Sequence, residues 1–95
     1  MTKPGSDQNY QIEYLDCVTE EDIPSLPKSA RELIKRAIET RLTADPVGLG
    51  KPLRYSFKGH RRIRVGDYRI VYRVQPDQKL VVVVLIKHRK EVYDE

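Results

Sequence analysis

The sequence predicts an α+β fold: a small, curved antiparallel sheet with one or two N-terminal helices packed on one face. Three observations predict it. Residues 26–42 place apolar side chains at helical spacing. Residues 60–86 alternate or run continuously apolar between turn residues, as strands do. These later strands follow one another with no helix between them, which makes a meander of hairpins. A chain of 95 residues with 39% hydrophobic and 34% charged residues fits one folded domain over residues 1–95.

In chain order, residues 1–8 are polar, contain Pro and Gly, and are expected to be flexible. "YQIEYLD" alternates, with Tyr10, Ile12 and Tyr14 on one side, and reads as a half-buried strand. "TEEDIPSL" carries Thr19 and Asp22 at capping spacing and reads as a short helix or turn. "PKSARELIKRAIETRLTADP" is the clearest element. Leu26, Ala30, Leu33, Ile34, Ala37, Ile38 and Leu42 form its buried stripe. Ser25 is placed to cap it, Pro27 suits its first turn, and Asp45–Pro46 stops it. Its outward charges, among them Arg41, read as a solvated face.

"DPVGLGKP" reads as a loop. Its glycines do not make a nucleotide cradle, because no Gly-Lys-Ser/Thr follows and no strand precedes. "LRYSF" is expected as a weak strand. "HRRIRV" and "YRIVYRV" flank Gly66–Asp67, "PDQ" makes another turn, and "KLVVVVLI" is a last strand whose unbroken β-branched run suits the inside of a sheet.

Charge is distributed unevenly. Residues 1–24 hold Lys3 against Asp7, Glu13, Asp16, Glu20, Glu21 and Asp22, whereas residues 51–73 hold eight Lys and Arg residues against Asp67. With a net charge of +4, this points to a polyanion-binding second half, or else to a solvated basic surface.

A two-residue loop at Gly66–Asp67 fixes a register. Val65 then pairs with Tyr68, Arg64 with Arg69, Ile63 with Ile70, Arg62 with Val71, Arg61 with Tyr72 and His60 with Arg73. One face is Arg61, Ile63, Val65, Tyr68, Ile70, Tyr72 and Val74, suited to pack on the helix. The other is His60, Arg62, Arg64, Arg69, Val71 and Arg73. Two guanidinium groups ~5 Å apart repel by roughly 1 kcal/mol in water and about 3 kcal/mol at an effective dielectric of about 20. Against a total stability of about 5–15 kcal/mol, that is a liability a purely structural hairpin would avoid. Arginine suits bidentate phosphate recognition, so the face reads as a phosphate pocket. The competing reading has the arginines splayed into water or paired with Glu91, Asp94 and Glu95. The following "KHRKEVYDE" brings Lys87, His88, Arg89, Lys90 and Tyr93 toward the same sheet edge, with His88 able to move protons near neutral pH and Tyr93 able to stack on a base.

Together "KPLR", "RRIRVGDYRIVYRV" and "VVVVLIKHRKEVY" resemble toxins of RelE/ParE-type toxin–antitoxin modules, on the RelE side. With "YQIEYLD" as first strand and "LPKSARELIKRAIETRL" as long helix, the resemblance covers almost the whole chain. It implies a toxin that enters the ribosomal A site and cuts mRNA as a metal-independent endoribonuclease. The ribose 2′-OH attacks the adjacent phosphate, and no cofactor is needed. Residues matching the family's catalytic positions are Arg62, Arg64, Arg69, Arg89 and Tyr93, with His88 added as a proton-transfer candidate. Arg54, Lys58, His60, Arg73, Lys87 and Lys90 are the expected RNA-binding cations. The turn is shorter than in some relatives. Arginine also stands at 62 and 64 where some relatives have lysine, and arginine is a poor base. His88 or Glu91 would then serve, or catalysis would rest on positioning and charge.

The partners this implies are the ribosome, mRNA and a cognate antitoxin; a cationic groove is also the natural target of an acidic, partly disordered peptide that folds on binding. A ParE-like inhibitor of DNA gyrase and a non-catalytic nucleic-acid-binding homologue are the alternatives. The lone Cys17 forms no internal disulfide and is expected as a small buried residue in a reducing compartment. Two histidines and one cysteine, widely spaced, make no zinc site. The N-terminal residues do not read as a signal peptide, and "LVVVVLI" is too short to span a bilayer, which suggests a cytoplasmic protein with no membrane partner.

Overall fold

The computed structural model describes residues 9–54 and 57–91. Its strands are β1 (Gln11–Tyr14), β2 (Lys51–Pro52), β3 (Arg61–Val65), β4 (Tyr68–Gln75) and β5 (Leu80–His88). They form one sheet in the order β1-β5-β4-β3-β2. The run β2 to β5 is antiparallel, as expected, while β1 lies parallel to β5 from Gln11↔Leu80 to Tyr14↔Val83. The β-branched strand β5 therefore sits inside the sheet, between β1 and β4.

The long helix is α1 (Lys28–Ala37), continued by a wider π-helical turn, Ile38–Leu42. Leu26, Ile34, Ala37, Ile38 and Leu42 pack on Ile63, Val65, Ile70, Tyr72, Val81, Val83 and Ile86 to form the core. Leu33, expected in that stripe, is 49% exposed. The wider turn has a purpose visible in the sequence. At 3.6 residues per turn, Arg41 would fall within the buried stripe below Ala37 and Ile38, with Leu42 at its margin. Widening brings Leu42 into line, fully buried, and swings Arg41 out to an exposed flank.

Helix entry differs from expectation. Ser25 Oγ donates to the Asp22 carbonyl at 2.8 Å and caps nothing, and Pro27 stands at the N-cap. Thr19 Oγ1 likewise donates to the Asp16 carbonyl. Asp22 closes a short π-helical turn, Val18–Asp22, and turns its carboxylate to β5. Asp45 ends the long helix and starts another. Its Oδ1 accepts from Gly48 N–H at 2.9 Å and caps a one-turn helix, α2 (Pro46–Leu49), where a loop was expected. The strand expected at "LRYSF" is absent at Leu53, Arg54 and Phe57, and residues 55–56 lie outside the described residues. Cys17 is exposed, not buried. Among the described residues no helix is long and apolar enough to cross a membrane.

A candidate phosphate site on the arginine face

The hairpin register is the one the turn dictates. Arg61 pairs with Tyr72, Arg62 with Val71, Ile63 with Ile70, Arg64 with Arg69 and Val65 with Tyr68. Gly66 has φ +60°, and among the described non-glycine residues positive φ occurs at Lys79 alone, so Asp67 stays negative. That is the pattern of a type II′ turn, which requires glycine first. The expected pair of His60 with Arg73 does not form, because β3 begins at Arg61.

Strand alternation then sets Arg62, Arg64 and Arg69 on the face away from α1. The β4–β5 register extends this to a row across three strands, Arg64↔Arg69↔Lys87. Lys51 of β2 lies opposite Arg62 and adds a further cation beside it. Arg62 does not splay into water: it is only 5% exposed. Its register partner Val71 is fully buried, outside the main core, so Arg62 sits beside an apolar neighbour. Such a setting lowers the local dielectric and strengthens the field on a bound anion.

Arg61, next in sequence, serves another purpose. Its Nη1 donates to the carbonyls of Val47 (3.0 Å) and Gly50 (3.1 Å), tying down α2. Tyr72 Oη donates to the Pro46 carbonyl at 2.5 Å from within the core. Burial pushes its phenol up to about 12, with Arg61 pulling it down and Asp45 adding to the rise. Gly50 must be glycine for lack of room, since a Cβ there would lie 1.8 Å from Tyr72 Oη. These contacts fix the segment that presents Lys51.

The C-terminal candidates separate. Lys87 Nζ lies 2.9 Å from Oδ1 of Asp22, whose Oδ2 accepts from Ile86 N–H at 3.0 Å. The bond to Asp22 holds the ammonium above its usual range, with burial opposing. Lys87, expected to bind RNA, is thus engaged inside the fold. His88 is register partner of Tyr68 and so faces the helix side, across the sheet from the arginines. Its ring meets Tyr68 edge-on at 5.3 Å, and its Nδ1 accepts from Lys90 N–H at 3.2 Å. The expected convergence of His88 on the arginines does not occur. Glu91 Oε1 accepts from His88 N–H. Arg89 N–H donates to the Asp67 carbonyl at 2.7 Å, and its Nε lies 3.6 Å from Asp67 Oδ1, so the end of β5 is pinned to the hairpin turn. Arg54, Lys58 and Lys90 are exposed, and Arg73 is half-buried on the arginine face beside Val82. His60 is half-buried against Phe57 with its Nδ1 buried and unbonded. Tyr93, Asp94 and Glu95 lie outside the described residues.

A groove of about 420 Å³ opens beside this face, lined by Arg41, Leu49, Lys51, Arg62, Ile63 and Arg64. In the sequence Lys51 stands out only as one of the basic stretch 51–73, and Arg41 only as part of a solvated helix face. The signal that could have found Arg41 is its place in the helical stripe, where a charge cannot stay.

The chain is similar to known proteins over most of its length. Residues 19–93 match the family model described as ParE toxin of type II toxin–antitoxin system, parDE. Toxin RelG of Mycobacterium tuberculosis is 31% identical over 72 residues, covering 76% of this chain and 83% of the relative. Toxin RelE of the same organism is 32% identical over 72 residues, covering 76% and 74%. Among solved structures, a chain of the M. tuberculosis toxin–antitoxin complex RelBE2 superposes with a TM-score of 0.80 at 27% identity, covering 85% of this chain and 92% of that one.

Proposed function

As a member of the RelE/ParE superfamily of type II toxin–antitoxin toxins, the chain is one that we propose cleaves mRNA in the ribosomal A site. The observation that carries this reading is the gathering of Arg62, Arg64 and Arg69 on one face by the hairpin register. In the proposed step a ribose 2′-OH attacks the adjacent phosphorus and its proton is lost. The bond to the 5′ oxygen of the next nucleotide breaks, and that oxygen takes up a proton. The products are a 2′,3′-cyclic phosphate and a free 5′-OH. Charge grows on the phosphoryl oxygens, and fixed guanidinium donors are suited to stabilise it. None of the three arginines serves as a base at ordinary pH. With His88 on the far face, this reading gives it no proton transfer, and catalysis by this face rests on charge and positioning. Arg89, pinned to the turn, and Tyr93 remain candidates for contact with the substrate. Arg54, Lys58, His60, Arg73 and Lys90 are proposed to hold RNA more loosely. The proposed partners are the ribosome, mRNA and a RelB-type acidic antitoxin, in the cytoplasm.

The test is cleavage in a purified translation system. Arg69→Ala and Arg64→Ala should each slow cutting by about 10²–10³-fold, the usual cost of removing one oxyanion donor, while circular dichroism stays native. Folded variants that cut at the wild-type rate contradict the reading. The ParE name of the matching model favours a second reading, inhibition of DNA gyrase by contact. It predicts intact mRNA and accumulating DNA breaks in intoxicated cells.

A further inference from the structure

Arg41, Leu49 and Lys51, in the groove at the open edge of β3, have no role in the step above. β2 covers β3 only at Arg61 and Arg62, so the edge beyond them is left to side chains. Arg41 reaches it from the π-helical turn, with Nη1 3.4 Å from the Arg64 carbonyl, and Lys51 reaches it from β2. Both are exposed, and among the described residues neither has an ion-pair partner. Among the described residues, four cations, two apolar residues and no carboxylate line the groove. Leu49 is 52% exposed there although α2 is held rigidly by Arg61 and Tyr72.

We propose that Arg41 and Lys51 form a second phosphate subsite that holds the sugar–phosphate backbone of an RNA strand running off the arginine face, with Leu49 as the apolar wall for a ribose or base. It rests on the preceding reading in that Arg62 and Arg64 are shared between the two sites. Cations spaced along a groove with an apolar wall fit a polyanion that has a periodic backbone and flat bases. An isolated anion would need no such wall. The π-helical turn, which places Arg41 here, is a kind of irregularity that clusters at functional sites.

The test is salt-dependent binding of a fluorescein-labelled, uncleavable ten-nucleotide 2′-O-methyl RNA, followed by anisotropy. Each phosphate contact with a single strand contributes about 0.7 to the slope of log affinity against log salt. The variant R41A/K51A should lose about 1.4 from that slope, and R41K/K51R should keep it. If the double variant unfolds, K51A alone should lose about 0.7. A parallel arm uses vacant ribosomes: loss there but not with the oligonucleotide makes ribosomal RNA the source of the phosphates and still supports the subsite. An unchanged slope in both arms overturns it. So does weakened binding of a glutamate-rich peptide with RNA binding intact, which would give the groove to a protein partner. Failure of wild-type protein to cut mRNA on ribosomes, with the slope change present, sinks the cleavage reading and leaves the subsite standing.

Discussion

Neighbouring residues of one type do unlike work here because alternation separates them. Arg61 holds carbonyls of α2 on the helix side, and Arg62 sits nearly buried on the other. The same alternation, carried through the β4–β5 register, sends His88 away from the arginines. Faces within the hairpin were legible from the sequence, since a two-residue turn fixes them. The face of His88 was not, because that register contains a shift between Val71 and Tyr72 that no residue announces. Tyr72 gives a prediction at this scale. Its folded pKa is raised from 10.0 to about 12, so its contribution to stability is full below pH 10 and lost as pH rises toward 12. Lys87, also raised, adds to the same alkaline loss. Tyr72→Phe should cost about 0.5–1.5 kcal/mol at neutral pH through the lost bond to Pro46, and should flatten the decline between pH 10 and 12. Denaturant titrations across that range check both; an equally steep decline in the variant refutes the assignment.

Among the elements, α1 and the β3–β4 hairpin follow from periodicity and turn chemistry, while the pieces between them do not. "DPVGLGKP" hid a one-turn helix because a single capped turn has too few residues to show a period. The parallel seat of β1 was hidden for a different reason: four residues carry a face but no direction. Asp22 stands at capping spacing from Thr19 in the sequence, yet it does sheet work. β1 stops at Tyr14, so the outer edge of β5 beyond Val83 lacks a strand, and Asp22 accepts the Ile86 N–H there. It is 4% exposed and also holds Lys87. Asp22→Ala should therefore destabilise the fold by roughly 2–4 kcal/mol, since it strands a buried N–H and a cation. Asp22→Asn, which can still accept that N–H, should cost clearly less. Equal losses in thermal or denaturant melts would show that the edge bond is not what matters.

At the scale of the molecule, the uneven charge seen in the sequence becomes a geometry. Asp22, from the acidic first part of the chain, braces β5, and cations of the second half collect along β3 and its edge. The fold could be had more cheaply without Arg64 facing Arg69, as like charges opposite one another weaken a sheet. On the proposed function, that weakness is the cost of seating an RNA phosphate. The most direct measurement is a map of mRNA 5′ ends shortly after the protein is induced. Cleavage in the A site predicts new ends inside translated codons, in register with the reading frame and bearing 5′-hydroxyls, and their loss with Arg69→Ala. Ends without frame, or intact messages in cells whose growth has stopped, would contradict it.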